Sequence, residues 1–309
     1  MTSQTPEDYE PPPGSEIAAN QNSLAALRLL LAQRRLYSQS KRWLGLRWLG
    51  MLVIALAAPI LSVAKPETAV ISGAVAGAWI FLGRTALYRL EQKKVEQAAA
   101  VQEIFDLHVF GMPSSGSRAS LPSLEEISLI AGPDSGISKA ATDAKLIDWY
   151  PIDNTQGGRL TVAICQRANV SYSDRLLKST ATVWIAGMAV WAVALVAVSI
   201  YFNLSSSQLL LGIVLPLLPA FLDVWEYWRA IRRAAVDRRD LVTTIEQRIT
   251  TGAKGLEPED MLVWQGRIFE LRRSAPQVPD IIYWLSRKRN ELAMRSAAEQ
   301  LRTKAKGEE

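Results

Sequence analysis

The residues best suited to binding chemistry lie in one stretch, residues 149–178, just before a long apolar block. This stretch combines aromatic, cationic and amide side chains. Aromatic rings stack on nucleobases, whereas arginine and amide groups contact phosphates and base edges. The composition therefore favours either a nucleotide site or the core of a domain with a polar rim. The candidate ligand-binding residues are Trp149, Tyr150, Gln166, Arg167, Asn169, Tyr172 and Arg175.

Signatures of catalysis and of metal binding are absent from the sequence. It contains no Walker loop, no GxSxG, no HExxH and no paired CxxC motif. Its one cysteine, Cys165, and its one histidine, His108, are far apart in the chain. A disulfide framework needs at least two cysteines, and a zinc site needs several such ligands. We therefore expect no enzyme activity, no metal ion and no cofactor.

Small residues and prolines occur inside the apolar blocks, where they affect helix packing. Gly73 and Gly77 have the GxxxG spacing, which allows two helix backbones to approach closely in a membrane. Pro216 and Pro219 lie three positions apart and are expected to kink or loosen their helix, which frees backbone carbonyls. The sequence therefore indicates tight helix packing or a homo-oligomer, with one irregular helix.

Two acidic residues follow these prolines. Asp223 and Glu226 are three positions apart, so they share one face of a helix. Two interpretations remain open from the sequence. The acids could line the inner mouth of a pore, as rings of carboxylates do in cation channels. Alternatively, they could lie at headgroup level and pair with Arg84 or Arg229.

Four apolar blocks exclude most of the charge of the chain. They cover residues 48–64, 69–83, 183–202 and 209–222. A bilayer core about 30 Å thick needs about 20 helical residues, so each block is a candidate span once its flanks are included. The alternative is a set of buried helices in a soluble protein. We predict an all-α membrane protein with two transmembrane helical hairpins and a mostly helical cytosolic domain.

Basic residues flank these blocks on one side only. The links 65–68 and 203–208 contain a single basic residue, Lys65, whereas Arg and Lys residues are frequent at the other four ends. The positive-inside rule then places both links outside and both termini in the cytosol, which corresponds to spans in an inner membrane. The predicted parts are a disordered tail (1–20), a juxtamembrane helix (21–43), hairpin one (44–88), a cytosolic middle region (89–180), hairpin two (181–228) and a cytosolic helical C-terminal region (229–309).

The order of several motifs resembles that of the SMODS-associated four-transmembrane effector family. The resemblance covers residues 21–294, nearly the whole chain. The segments that carry it are QNSLAALRLLLAQRRLYSQSK, QEIFDLHVF, IDWYP, AICQRANVSYSDRLLK and GRIFELRRSAPQVPDIIYWLSRKRNE.

This resemblance implies a pore-forming effector of a bacterial anti-phage system of the CBASS type. The implied partners are membrane lipid, a cyclic oligonucleotide second messenger, the nucleotidyltransferase that makes it, and further copies of the chain. The residues alone leave two alternatives, an ion channel or transporter subunit and a membrane anchor for a cytosolic partner.

Overall fold

A computed structural model describes residues 8–65, 67, 69–114, 120–251 and 255–306. Within these residues the chain is helical and contains no strand, so the predicted all-α class is confirmed for them. The α-helices are α1 (Gly14–Gln21), α2 (Leu24–Ala64), α3 (Ala69–Leu82), α4 (Tyr88–Phe110), α5 (Leu124–Ala131), α6 (Asp134–Asp143), α7 (Gly158–Tyr201), α8 (Leu215–Thr250), α9 (Pro258–Arg273) and α10 (Asp280–Lys306). Two π-helical segments, Gly83–Leu87 and Gln208–Val214, lead directly into α4 and α8.

Long helices run through the boundaries expected between the apolar blocks and the rest of the chain. In α2, the predicted juxtamembrane helix continues into the first block, after an N-cap in which the Ser23 side chain accepts a hydrogen bond from the Ala26 N–H. Helices α7 and α8 likewise pass positions 180 and 228 without a break.

Two stretches of the described residues, Val70–Phe110 and Gly158–Tyr201, are helical and are long and apolar enough to cross a membrane. No residue is buried in the most apolar window of the second stretch. Side chains such as Ile200 (71% exposed) and Val70 (81% exposed) face outward instead. A core helix of a soluble protein would bury this surface, so the exposed apolar faces indicate contact with lipid.

The other halves of the long helices pack into a helical domain, formed by residues 8–43, 89–114, 120–180, 229–251 and 255–306. Its main cluster joins α1, α2 and α4 to α10, and its largest fully buried side chains include Leu30, Phe105, Ile164 and Ile245. Helix α4 ends at Phe110 because Gly111 takes the left-handed conformation with φ of 63°.

The N-terminal segment differs from its prediction. Disorder was expected from its proline and acid content, but residues 8–20 are packed on the domain, and residues 1–7 lie outside the described part of the chain. Ile17 is fully buried, and the hydroxyl of Tyr9 donates to the Phe110 carbonyl at 3.1 Å. The prediction is wrong for residues 8–20 because two well-placed apolar side chains can anchor a short segment whose average composition is polar.

Candidate ligand-binding cleft

A cleft of about 1400 Å³ opens in the helical domain. All four of the long helical units that contain an apolar block contribute to its wall, for example Tyr37 of α2, Gln102 of α4, Tyr172 of α7 and Arg238 of α8. The remaining wall comes from α1, the irregular segment 145–154, Arg272 of α9, the linker between α9 and α10, and α10 itself. The cleft is therefore bordered by residues of all four helical units that contain an apolar block.

Three aromatic side chains form what we call the stacking cluster in this wall. The ring centroid of Tyr283 lies 6.3 Å from that of Tyr172 and 5.3 Å from that of Trp284. Trp284 lines the cleft and is about half exposed (52%), so part of its side chain is open to solvent. A flat base could stack on these rings, a contact worth about 1–3 kcal/mol for each base.

Cations surround the stacking cluster. The guanidinium carbons of Arg34 and Arg287 lie 5.6 and 5.5 Å from the centre of the Trp284 ring, and the Lys41 ammonium lies 5.7 Å from that of Tyr283. These distances are in the range of cation–π contact. The cluster therefore combines ring faces with guanidinium groups, which suits a ligand that carries both bases and phosphates.

The whole cleft has an excess of basic residues. Its basic residues are Arg34, Lys41, Lys145, Arg238, Arg272, Arg287, Arg295 and Arg302, and its acidic residues are Asp148, Asp280, Glu291 and Glu299. A concave surface with this charge balance attracts anions and concentrates field lines. Burial lowers the pKa of Arg238 to about 10 and raises the pKa of Tyr37 to about 12, so at neutral pH Arg238 is charged and Tyr37 keeps its proton.

A buried polar network supports the inner wall of the cleft, with Asp106 at its centre. The Tyr150 hydroxyl donates to Asp106 Oδ1 at 2.6 Å, and Arg272 Nη1 lies 2.6 Å from Asp106 Oδ2. Gln265 Nε2 donates to the same Oδ2 at 3.0 Å, while its own Oε1 accepts from Gln166 at 3.1 Å. Pairing and hydrogen bonding stabilise buried charges of this kind, so the network supports the inner wall of the cleft.

A second aromatic group lies at the cleft-side ends of three apolar blocks. We call it the interface triad, formed by Trp48 of α2, Trp184 of α7 and Tyr227 of α8. The Trp48 ring centroid is 4.4 Å from that of Trp184 and 5.3 Å from that of Tyr227, and the last two are 5.6 Å apart. The triad therefore holds three of the long helices together where the apolar blocks begin.

Comparison with known protein families matches residues 15–301 to the SMODS-associating 4TM effector domain. The chain belongs to this family. No curated protein and no solved structure matches it. Membership confirms the resemblance seen in the sequence motifs, and it assigns the chain a CBASS-type effector role with a functional link to SMODS-type nucleotidyltransferase signalling. Among the described residues, no group of three His, Cys, Asp or Glu side chains is arranged to hold a metal ion.

Some of the ligand-binding residues predicted from the sequence lie in the cleft wall. They are Trp149, Tyr150, Asn169 and Tyr172. Gln166 is instead buried in the polar network, and Arg167 donates from Nε to Glu246 Oε1 at 2.7 Å, away from the cleft. Arg175 is exposed and is not part of the wall. The helical period explains this division, because positions 169, 172, 173 and 176 of α7 share one face.

Two of the three aromatic residues of the stacking cluster, and the cations around it, were not predicted from the sequence as ligand-binding residues. Arg34 comes from α2, whereas Tyr283, Trp284 and Arg287 come from the first two turns of α10. The signal was present in the stretch IIYWLSRKRNE, where two aromatic residues precede three basic ones. In the sequence, this stretch cannot be distinguished from an ordinary amphipathic helix. Its position beside Tyr172 is seen only in the folded structure.

The glycines predicted to support close helix packing have no such contact within this chain. A Cβ atom added at Gly73 or Gly77 would meet nothing within 4 Å. The close approach occurs at Gly50 instead, where an added Cβ would lie 2.0 Å from the Trp79 ring. The indole nitrogen of Trp79 also donates to the Arg47 carbonyl at 3.2 Å. Gly50 is therefore the glycine that α2 and α3 require.

The acidic pair at the start of α8 is bound by Arg84. Arg84 Nε donates to Asp223 Oδ1 at 3.1 Å, and Arg84 Nη2 donates to Glu226 Oε2 at 2.8 Å. The sequence left Arg84 and Arg229 as possible partners of these acids. Within a single chain, the partner is Arg84. Pro216 and Pro219 lie in the first two turns of α8, just after the π-helical segment Gln208–Val214, and π-helical turns are frequent at functional sites.

Proposed function

We propose that this chain is a ligand-gated effector with four spans in a bacterial inner membrane and both termini in the cytosol. A cyclic oligonucleotide, made by a partner nucleotidyltransferase, binds the cleft of the helical domain. Binding shifts a homo-oligomer toward a state that permeabilises the membrane. The observation that carries the proposal is the composition of the cleft wall, to which all four long helical units contribute.

The chemistry of the cleft supports an oligonucleotide as the ligand. Its volume of about 1400 Å³ exceeds the range of roughly 300–1000 Å³ that is usual for small-molecule sites, so there is room for more than one nucleotide. Tyr172, Tyr283 and Trp284 offer ring faces to bases, and the guanidinium groups of Arg34 and Arg287 suit phosphates. A cyclic oligonucleotide presents both groups in a compact ring.

The continuity of the helices supports transmission to the membrane. Helices α2, α7 and α8 each contribute to the cleft and to the interface triad. A ligand shifts an equilibrium only by its difference in affinity between two states, so it must bind the open arrangement of these helices more tightly. The glycine face at Gly73 and Gly77, which is unoccupied within one chain, supports contact between copies in the membrane.

The test uses the full-length protein in liposomes of phosphatidylethanolamine and phosphatidylglycerol filled with a self-quenched dye. The probes are cyclic dinucleotides and trinucleotides built from A, G and U, with linear dinucleotides of the same bases as controls. We expect at least one cyclic probe to bind and to release dye, while its linear counterpart does neither. Dye retention with every cyclic probe, together with absence of binding in calorimetry, would overturn the proposal.

A further inference from the structure

We propose that the linker between α9 and α10, residues 274–279, couples the cleft to the membrane-facing helices, and that Tyr227 is the residue that positions it. The inference rests on the proposed function, because it names the route by which the same cleft acts on the membrane. We call this short segment the coupling linker. It connects the ligand in the cleft to the interface triad.

The coupling linker forms part of the cleft wall. Ala275, Pro276, Gln277 and Val278 all line the cleft. The linker also joins two other parts of that wall, since it follows Arg272 of the polar network at its start and leads into the stacking cluster at its end. A ligand seated between network and stacking cluster therefore lies against the linker.

The same linker is tied to two helices near the apolar blocks. The Tyr227 hydroxyl of α8 donates a short hydrogen bond to the Gln277 carbonyl. The Ser40 hydroxyl of α2 donates to the Tyr37 carbonyl at 2.8 Å and shares this proton with Gln277 Oε1 in a longer bond of 3.3 Å. Gln277 is 6% exposed, so both bonds are shielded from water. Buried hydrogen bonds of this kind are costly to leave unmade, which ties the position of the linker to that of α2 and α8.

The end of the linker next to α10 is also held by an apolar contact and an ion pair. Val278 packs against the cluster that contains Leu177, Tyr227 and Ile231, beside the interface triad. Asp280, the first residue of α10, pairs with Lys41 of α2 at 2.5 Å. Lys41 also lies over the Tyr283 ring of the stacking cluster. Movement of the stacking cluster therefore acts on the linker and on α2 together.

The middle of the linker is held mainly by side chains of other helices, because its own backbone hydrogen bonds lie at its two ends. It is not helical, and Pro276 and Pro279 have no N–H to donate. Its position depends instead on Tyr227 and Ser40. The Tyr227 ring belongs to the interface triad, so one side chain contacts the cleft wall through its hydroxyl and contacts Trp48 and Trp184 through its ring. A displaced linker therefore changes the contacts of α8 with α2 and α7.

The variant Tyr227→Phe separates these two contacts, because phenylalanine keeps the ring in the triad and removes the hydroxyl. In the liposome assay, with whichever cyclic probe binds the wild type, we expect an affinity within about twofold of wild type. The ratio of triggered to basal dye release should fall about tenfold, which is within the usual range of coupling between sites. Tyr88→Phe is the matched control, since Tyr88 lies near the same helix ends and is 45% exposed; it should behave as wild type.

A second measurement needs no ligand. Hydrogen–deuterium exchange on the full-length protein in nanodiscs should show faster exchange after Tyr227→Phe in peptides covering the first turn of α10 and residues 44–50 of α2. Peptides of α5 should be unchanged, as should all peptides in Tyr88→Phe. If Tyr227→Phe binds a probe and releases dye like wild type, the coupling role is overturned while the proposed function stands. If no probe acts on the wild type, the proposed function fails, and unchanged exchange would then overturn the coupling role as well.

Discussion

Arg84 Nε lies 3.1 Å from Oδ1 of Asp223, which joins the π-helical segment after α3 to the start of α8. Glu226 binds the same guanidinium through Nη2. One cation and two carboxylates leave this trio with one net negative charge. In a symmetric oligomer, each copy would contribute one trio at the same depth, and the trios together would form a ring of charges. Substitutions can make this ring more negative or more positive.

The first prediction concerns ion selectivity. Asp223→Asn with Glu226→Gln leaves Arg84 alone and makes each trio positive, so leakage through the open state should lose its preference for cations. Arg84→Gln changes the charge in the opposite direction and should increase that preference. Reversal potentials in planar bilayers under a salt gradient measure both. Unchanged selectivity in a well-folded double variant would remove this part of α8 from the conduction path.

The second prediction concerns the stacking cluster. Trp284→Ala should weaken binding of the active cyclic oligonucleotide about tenfold, since loss of a stacked base costs about 1–3 kcal/mol. Because Trp284 is 52% exposed, its replacement should leave the fold intact. Calorimetry on the detergent-purified protein measures the affinity. Arg175→Ala is the control, because Arg175 is exposed outside the cleft wall and its loss should leave the affinity unchanged.

The third prediction distinguishes the cleft from the stretch singled out by sequence alone. Arg167 pairs with Glu246, and it does not line the cleft. Arg167→Ala should therefore keep the affinity for the ligand, with a stability loss of about 1 kcal/mol or less, as for other partly exposed ion pairs. Arg287→Ala, by contrast, removes a cleft cation and should weaken binding. Weaker binding by Arg167→Ala with normal binding by Arg287→Ala would relocate the site toward α7 and α8.

The fourth prediction concerns the wall of the cleft. Tyr150→Phe removes the donor that is 2.6 Å from Asp106 Oδ1 in a site where both residues are buried. Hydrogen bonds to charged groups contribute about 1.5–3 kcal/mol, so thermal unfolding should begin several degrees lower. Asn169→Ala is a milder comparison, because Asn169 reaches the Tyr150 hydroxyl only at 3.4 Å. Equal melting temperatures for Tyr150→Phe and wild type would show that the network does not hold this wall.

The fifth prediction concerns topology. Reporter fusions after Lys65 and after Ser206 should be active outside the inner membrane, whereas fusions after Ser120 and at the C-terminus should be active in the cytosol. The reason is the concentration of Arg and Lys at the other four ends of the apolar blocks. An external reporter at Ser120 would contradict the arrangement of two hairpins.

Several local features follow from the sequence because they depend on neighbours along the chain. The helix that ends at Phe110, for example, needs only the absence of a breaker before Gly111. The family could also be recognised from the sequence, because membership depends on the order of motifs. The packing of the segment around Tyr9 and Ile17 could not be predicted, since its buried anchors are few and its average composition is polar.

The sequence by itself determined the helical class, the apolar blocks and the family, because hydrophobic period, length and motif order are properties of the chain. Only the tertiary structure decided which side chains meet. Arg34 and Trp284 are separated by most of the chain, and they come together because α2 and α10 border the same cleft. Arg167 and Tyr172 are close in sequence and lie on different faces of α7, so only the second reaches the cleft. A contact depends on how helices cross and rotate, and that is set by packing of the whole core.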